Sequence, residues 1–285
     1  MLIGFWGAGL MGSGLLRTLL RHGHEVLIFS RDLQKAQKLA SEGKGQAVAS
    51  IQELAKADVL ISCVARPQYL KEALLGPNGV HAAMRKGSLH IECSTIDPES
   101  ALLLCESCHK QGIDYVQATL GKTPAMAEKA LEPIFAGADA KALERAWPLL
   151  EELGKPVRVG SIEASCAAKL LSNLIGMTNI CVLAEGFKLG TRLGLDPKVL
   201  LDVLMDTGAR SFQMDTRGSM LADNTFDDVK FRLALAVKDV RLGCEMAEAS
   251  KTAVPFFSEA LSQFRAAEAQ GLGDLDCAAV GKRDK

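Results

Sequence analysis

The sequence predicts an α/β protein in two parts, a doubly wound N-terminal sheet followed by an all-α C-terminal domain. Three observations carry this. Up to Gly160, short apolar runs alternate with amphipathic segments, as in parallel strands joined by crossover helices. From Ser161 onward there is no convincing strand, only helical segments. And Leu2 to Asp32 packs a strand, a glycine turn, a helix and a second strand into one unit. The expected domains are residues 1–161 and 162–285, with the ligand site in the cleft between them.

Leu2–Trp6 is short and apolar, so it reads as a strand, with a helix from about Leu10 to Arg21 and a second strand at Glu25–Phe29. Between strand and helix, Gly7-Ala8-Gly9-Leu10-Met11-Gly12 gives the spacing G-x-G-x-x-G. Gly7 makes the turn, Gly9 lets the backbone approach a pyrophosphate, and Gly12 permits close helix–strand packing. The helix N-terminus adds free N–H groups and a positive dipole end. This is a Rossmann-type dinucleotide site. Where an NAD site usually carries Asp or Glu, the chain has Ser30-Arg31-Asp32. Serine does not repel a 2′-phosphate and Arg31 can grip one, so NADP (NADPH) is expected, with NAD bound less tightly. The competing reading makes Arg31 a solvated charge and Asp32 a helix N-cap.

Leu33–Ser41 and Ile51–Leu54 read as helices, and Val59–Val64 as a buried parallel strand broken by Ala65-Arg66-Pro67. Val64 and Ala65, at that strand's end, join the expected cofactor contacts. Gln68–Leu75 is helical. Ser88–Glu92 is the next strand, and Ser94-Thr95 follows it at the sheet edge where ligands bind. Pro98 opens a helix to about Gln111, strands follow at Ile113–Ala118 and Glu132–Gly137, Ala140–Gly154 is helical, and Pro156–Val159 is a last strand on a mixed-direction edge. Helices are expected at about 163–194, 197–207, 211–222, 229–250 and 254–270. The first is apolar on most sides, so it is expected to be buried, with the others packed around it. Gly281-Lys-Arg-Asp-Lys reads as a polar tail.

At 285 residues, 48% hydrophobic and net charge −1, the composition excludes disorder and carries no nucleic-acid footprint. No basic n-region follows Met1, and no uncharged apolar run approaches a span of about 18 residues, so no membrane association is expected. Eight scattered cysteines suit reduced thiols and a cytoplasmic location. Cys105-Glu-Ser-Cys108, with His109 next, resembles half of a metal site whose other half is missing. His22, His24, His81, His90 and His109 show no metal spacing; each is expected to be structural, and no metal is expected.

Lys169-Leu-Leu-Ser-Asn173 places two polar side chains on one helical face, where both can reach one substrate. Together with the glycine fingerprint, the Ser94-Thr95 turn, the Gly121-Lys122-Thr123 loop and the Lys238-Asp239 pair, this order of motifs resembles the β-hydroxyacid dehydrogenase family. Members include 3-hydroxyisobutyrate dehydrogenase, tartronate semialdehyde reductase and glyoxylate/succinic semialdehyde reductase. The resemblance covers nearly the whole chain. It implies that Lys169 is the catalytic proton donor, that Asn173 orients the substrate, and that Ser94 and Thr95 contact nicotinamide or substrate. It further implies that Lys238 approaches the cofactor, that Phe231 lines the pocket, and that Asp239 pairs with the catalytic lysine. Phe231 and Lys238, seven apart, are expected on one helical face. An ordinary ion pair is the bland reading of Lys238-Asp239.

The family's substrate loop usually reads D-x-P-V-S-G-G. Here Gln117-Ala118-Thr119-Leu120-Gly121-Lys122-Thr123 departs from it and looks more like the G-[RK]-T variant of sulfolactaldehyde reductase. Gly121, Lys122 and Thr123 are expected to bind a small anionic aldehyde or hydroxy acid. The resemblance thus implies an NADP(H)-dependent oxidoreductase acting on a small carboxylated or sulfonated aldehyde, and the apolar helical domain implies a homodimer or homotetramer. An imine reductase-like enzyme shares the architecture, but such enzymes carry Asp or Tyr where Lys169 stands. A non-catalytic NADP-binding scaffold is the remaining alternative, opposed by intact Thr95, Lys169 and Asn173.

Overall fold

A computed structural model describes residues 1–283. Strands β1 (Leu2–Trp6), β2 (Glu25–Phe29), β3 (Gly45–Ala47), β4 (Val59–Ser62), β5 (Leu89–Glu92), β6 (Asp114–Leu120), β7 (Pro133–Gly137) and β8 (Lys155–Gly160) form one sheet. Their order is β3-β2-β1-β4-β5-β6-β7-β8, parallel throughout except for the antiparallel pair β6–β7. The order reverses between β1 and β4, which leaves a crevice at the carboxyl ends of those strands. Register fixes what lines it: Trp6 sits beside Phe29 and Ser62, and Ser62 beside Glu92. The residues that follow these strand ends, Gly7, Ser30, Cys63-Val64 and Cys93-Ser94, therefore share one edge.

Helices α1 (Leu10–Arg21), α2 (Leu33–Ala40), α3 (Pro67–Leu74), α4 (Val80–Ala83), α5 (Pro98–Lys110), α6 (Pro124–Glu128) and α7 (Ala140–Leu153) connect the strands. Local chemistry starts them. Asp32, Asp97 and Asp139 cap α2, α5 and α7 through side-chain oxygens, and Pro67 and Pro98 occupy first-turn positions without a wasted N–H. The sheet is covered on both faces, which is why its central strands are apolar without alternation. Ile3, Phe5 and Ile61 pack with Leu15, Leu19 and Leu150 on one face. Trp6 and Leu60 pack with Leu70, Leu104 and Tyr115 on the other.

Helix α8 (Ile162–Arg192) is followed by α9 (Pro197–Met205), α10 (Phe212–Asp223), α11 (Leu233–Ala249) and α12 (Pro255–Ala267). The chain divides into two compact units, Met1–Lys169 and Leu170 onward, within α8 and a little beyond the expected boundary at 161/162. In the second unit, Leu174, Ile180, Phe187, Leu233, Val240 and Phe264 form the core. By length and composition alone α8 could cross a membrane. Its Leu174, Met177, Ile180, Ala184 and Phe187 are instead buried in the second unit's core.

Several expectations need correction. The strand β3 was unexpected, since Gly45-Gln46-Ala47 has no apolar run. The helix expected over 229–250 begins only at Leu233, because Asp276 Oδ2 accepts the backbone N–H groups of Lys230 (2.9 Å) and Phe231 (3.0 Å) and holds that stretch out of the helix. Phe231 and Lys238 accordingly do not share a helical face. Helix α8 is not buried all round: Leu171, Ile175, Val182 and Leu189 form an exposed apolar strip, with Val182 63% accessible. The tail is docked as far as Arg283, whose Nη1 donates to Leu221 O at 2.7 Å and whose backbone N–H donates to Asn224 Oδ1 at 2.9 Å. Asp284 and Lys285 lie outside the described residues.

Candidate active site

The glycine turn has the shape a pyrophosphate needs. Gly7 has φ 115°, and a Cβ there would lie 2.1 Å from Cys63 O. At Gly12 a Cβ would lie 1.8 Å from Gly7 O, so the helix can approach the strand this closely only with hydrogen at that position. Gly9 is different: a Cβ there would meet nothing within 4 Å, so open space faces its backbone. No side chain caps α1 and no acidic residue occupies its first turn, which leaves the amide ends and the positive dipole to an anion. These residues fit a dinucleotide; of the other candidate contacts, Ala8 lies in the turn and Leu10 and Met11 open α1.

Beside it, Arg31 is exposed and its guanidinium carbon lies 5.0 Å from the ring centroid of Tyr69 on α3. Asp32 is spent on capping α2, accepting from Lys35 N at 3.0 Å. Ser30 is half-buried and accepts from Asp32 N at 3.3 Å. The residue directly after β2 is thus a serine, and Asp32 turns its carboxylate toward the α2 N-terminus.

Ser94 is buried, and its Oγ accepts from Val64 N at 2.8 Å while its own N–H donates to Glu92 Oε1 at 2.7 Å. Its hydroxyl ties the ends of β4 and β5 together, and half-buried Thr95 follows it. Val64 is half-buried and Ala65 exposed at the same edge. Gln117, standing where the family loop has aspartate, donates from Nε2 to Glu92 O and Ser94 O at 3.2 Å each. The departure from the family pattern therefore supports the turn that carries Thr95.

The Gly121-Lys122-Thr123 loop is held by a residue the sequence reading placed only in a strand. Glu132 is fully buried and its Oε1 accepts the backbone N–H of Lys122, while Gly121 N donates to Pro133 O at 2.9 Å. Among the described residues, Oε2 of Glu132 has no hydrogen-bond partner. Desolvation raises this carboxyl's pKa, and the Lys122 N–H and the charge of Lys169 oppose the rise. The Lys122 side chain is exposed and Thr123 half-buried. Lys169 itself is only 8% accessible. In the first unit, then, an anion-compatible loop and a buried lysine share one acidic neighbour. No carboxylate signal at position 132 stands out in the sequence; only its packing reveals it.

In the second unit, Asn173 Nδ2 donates to Asp239 Oδ2 at 2.6 Å, and Lys238 Nζ lies 2.8 Å from Asp239 Oδ1. Asp239 is 3% accessible, so this is a buried cluster and not a surface ion pair. Phe231, half-buried, packs against this unit's core just before α11. Lys169 and Asn173 are one turn apart on α8, as their spacing requires.

Known proteins resemble this chain along nearly its whole length. Residues 2–166 match the NAD binding domain of 6-phosphogluconate dehydrogenase, and residues 164–283 match the NAD-binding domain of NADP-dependent 3-hydroxyisobutyrate dehydrogenase. The chain belongs to the β-hydroxyacid dehydrogenase family. It is an NAD(P)-dependent hydroxyacid dehydrogenase. It is 30% identical to 2-(hydroxymethyl)glutarate dehydrogenase of Eubacterium barkeri, across 98% of this chain and 93% of that one. It is 27% identical to the cytokine-like nuclear factor N-PAC of Xenopus tropicalis, spanning only about half (52%) of that protein's length. The crystal structure of 3-hydroxyisobutyrate dehydrogenase from Salmonella typhimurium superposes with a TM-score of 0.91 at 25% identity, across 99% of both chains.

Proposed function

We propose that this dehydrogenase uses NADP(H) to interconvert a small carboxylated or sulfonated aldehyde and its hydroxy acid, in the cytoplasm and as a homo-oligomer. The observation that carries the reading is the buried Lys169 beside Glu132, whose carboxylate also holds the backbone of the Lys122 loop. Bound cofactor supplies or accepts the hydride at the carbonyl carbon. The chain supplies the rest. As the C=O bond opens, its oxygen takes the pair of electrons and then a proton from Nζ of Lys169, which solvent restores afterwards. Lys122 offers a cation for the substrate's acid group, and Asn173, fixed by Asp239, offers its amide for a hydroxyl or carboxylate. Arg31 supports the choice of NADP, and the matched 3-hydroxyisobutyrate dehydrogenase domain is of an NADP-dependent type. The exposed strip on α8 supports oligomerisation. The test is NADPH oxidation against a panel: glyoxylate, succinic semialdehyde, methylmalonate semialdehyde, tartronate semialdehyde and sulfolactaldehyde, with uncharged aldehydes alongside. Turnover of acidic members at least about tenfold better than uncharged ones supports the reading; no preference removes it.

A further inference from the structure

The first unit contains a second cluster of reactive side chains that neither cofactor nor substrate chemistry uses. His81 on α4, His90 on β5 and Cys108 on α5 come from three elements and are all buried. The sequence shows no metal spacing among the histidines, yet the fold brings two of them to one cysteine. Cys108 also faces away from the half-motif formed with Cys105 and His109, toward the two imidazoles. Sequence spacing hid the cluster because β5 separates the two helices that supply its other members.

The donor atoms converge. His81 Nε2 lies 3.1 Å from His90 Nδ1, Cys108 Sγ lies 3.5 Å from His81 Nε2, and Cys108 Sγ lies 3.9 Å from His90 Nδ1. Metal–nitrogen bonds near 2.05 Å and metal–sulfur bonds near 2.3 Å give tetrahedral edges of about 3.3 Å between nitrogens and about 3.6 Å between nitrogen and sulfur. The triangle is within a few tenths of an ångström of that. The thiol also lies 3.7 Å from His81 Nδ1, so it has to turn about its Cα–Cβ bond to aim at the common point.

Each ring's other nitrogen is already held. His81 Nδ1 contacts Ser107 Oγ at 3.0 Å, and His90 Nε2 contacts Ser62 Oγ at 2.7 Å. Ser62 in turn donates to Glu92 Oε2 at 2.5 Å. Fixing the outer nitrogen is how ligand imidazoles are oriented, and a carboxylate behind them is a common arrangement. Burial keeps both imidazoles in the neutral form that coordinates, with the His81 pKa lowered to about 4.

We propose that His81 Nε2, His90 Nδ1 and Cys108 Sγ bind one zinc ion, with a water in the fourth position. Binding expels the thiol proton to solvent and forms the metal–sulfur bond, with no change in oxidation state. The donor set of one thiolate and two imidazoles suits zinc better than magnesium, calcium or manganese. A divalent ion and one thiolate leave a single positive charge, next to the hydrogen-bonded Ser62–Glu92 pair. The ion staples α4 and α5 to β5, the strand that leads into the Ser94-Thr95 turn.

The whole protein is refolded with zinc or with cobalt, desalted and assayed for metal. Wild type and Cys105→Ser should each retain one ion per chain, whereas Cys108→Ser and His81→Gln should retain less than about a tenth of that. Wild type refolded with cobalt should show thiolate-to-cobalt charge-transfer absorption and tetrahedral visible bands. That spectrum decides the matter even if the Cys108 variant fails to fold. A wild type holding no more metal than Cys108→Ser, or a cobalt form without a thiolate band, overturns the proposal and leaves a hydrogen-bonded trio.

Discussion

Asn173 and Asp239 are joined by a 2.6 Å hydrogen bond from amide to carboxylate, linking α8 to α11 inside the second unit. The same carboxylate holds the Lys238 ammonium at 2.8 Å. One buried anion therefore orients an amide and neutralises a cation. Asp239→Asn keeps the shape and removes the charge that faces Lys238, whose side chain is only 12% accessible. Breaking a buried pair from one side costs about 3–5 kcal/mol, and this partly accessible lysine places the expected loss near 3 kcal/mol. Urea unfolding measures it. A loss below about 0.5 kcal/mol would mean that the pair behaves like a surface salt bridge.

Gly12 and Gly9 of the fingerprint should behave differently when replaced by alanine. Gly12→Ala puts a methyl 1.8 Å from Gly7 O, so it should lower the unfolding temperature by several degrees and weaken cofactor binding with it. Gly9→Ala meets nothing in the protein, so the fold should keep its unfolding temperature while NADPH affinity falls at least about tenfold. Thermal unfolding and NADPH fluorescence titration on the same samples distinguish the two. Equal thermal loss in both variants would show that Gly9 is only a structural turn.

Arg31, stacked 5.0 Å from the Tyr69 ring, is held at the crevice by a cation–π contact. A desolvated phosphate–guanidinium contact is worth about 1.5–3 kcal/mol, so Arg31→Ala should weaken NADPH roughly ten- to a hundredfold and leave NADH nearly unchanged. Parallel titrations with the two cofactors check this. If both weaken alike, Arg31 does not read the 2′-phosphate.

Why some of this was legible and some was not follows from range. The strands β1, β2 and β4 to β7 announce themselves as short, largely apolar runs because two covered faces demand them, whereas β8 is an exposed edge strand. Asp32, as a cap, and Pro98, as a first-turn residue, announce their helices because both act locally. Gly45–Ala47 is too short and too polar to stand out, and becomes a strand only because β2 offers it a partner edge. Asp276 keeps Phe231 out of α11 from 45 residues away, so no local periodicity reports it. Glu132 reads as the first residue of a strand until the Lys122 N–H is seen to donate to it. Local rules reveal elements; the partners that aim their side chains lie far along the chain.

Glu132 gives the site a pH-dependent stability with a definite sign. Its folded pKa is raised above the ordinary 4.5, chiefly by desolvation. Between these two values the folded protein keeps a proton that the unfolded chain has lost, so stability falls as pH rises through that window. Glu132→Gln removes this contribution. Stability of wild type minus that of Glu132→Gln should therefore decline as pH rises from about 4.5 and level off above the folded pKa. Lys169→Met removes a charge that favours ionised Glu132, so in that background the decline should extend to higher pH. Urea titrations of the four proteins across the window test both statements. A wild-type advantage that grows with pH would show that Glu132 is stabilised as an anion.

Lys169 carries the most exposed prediction. It is 8% accessible, one turn from Asn173 on α8, and close enough to Glu132 for their charges to interact. If its ammonium acts on the forming alkoxide, removing it should affect the transition state and not the ground state. Lys169→Ala should then lower kcat by about 10²–10⁴-fold with little change in NADPH affinity. Lys169→Arg should restore little, because guanidinium holds its proton too tightly and has a different shape. Reduction by wild type should slow as pH rises through the lysine's pKa in the complex, while the Lys169→Ala residue of activity should show no such fall. Stopped-flow single turnovers with saturating NADPH separate the chemical step from cofactor release. A Lys169→Ala protein that binds NADPH normally and turns over within about tenfold of wild type would mean that the proton comes from another group.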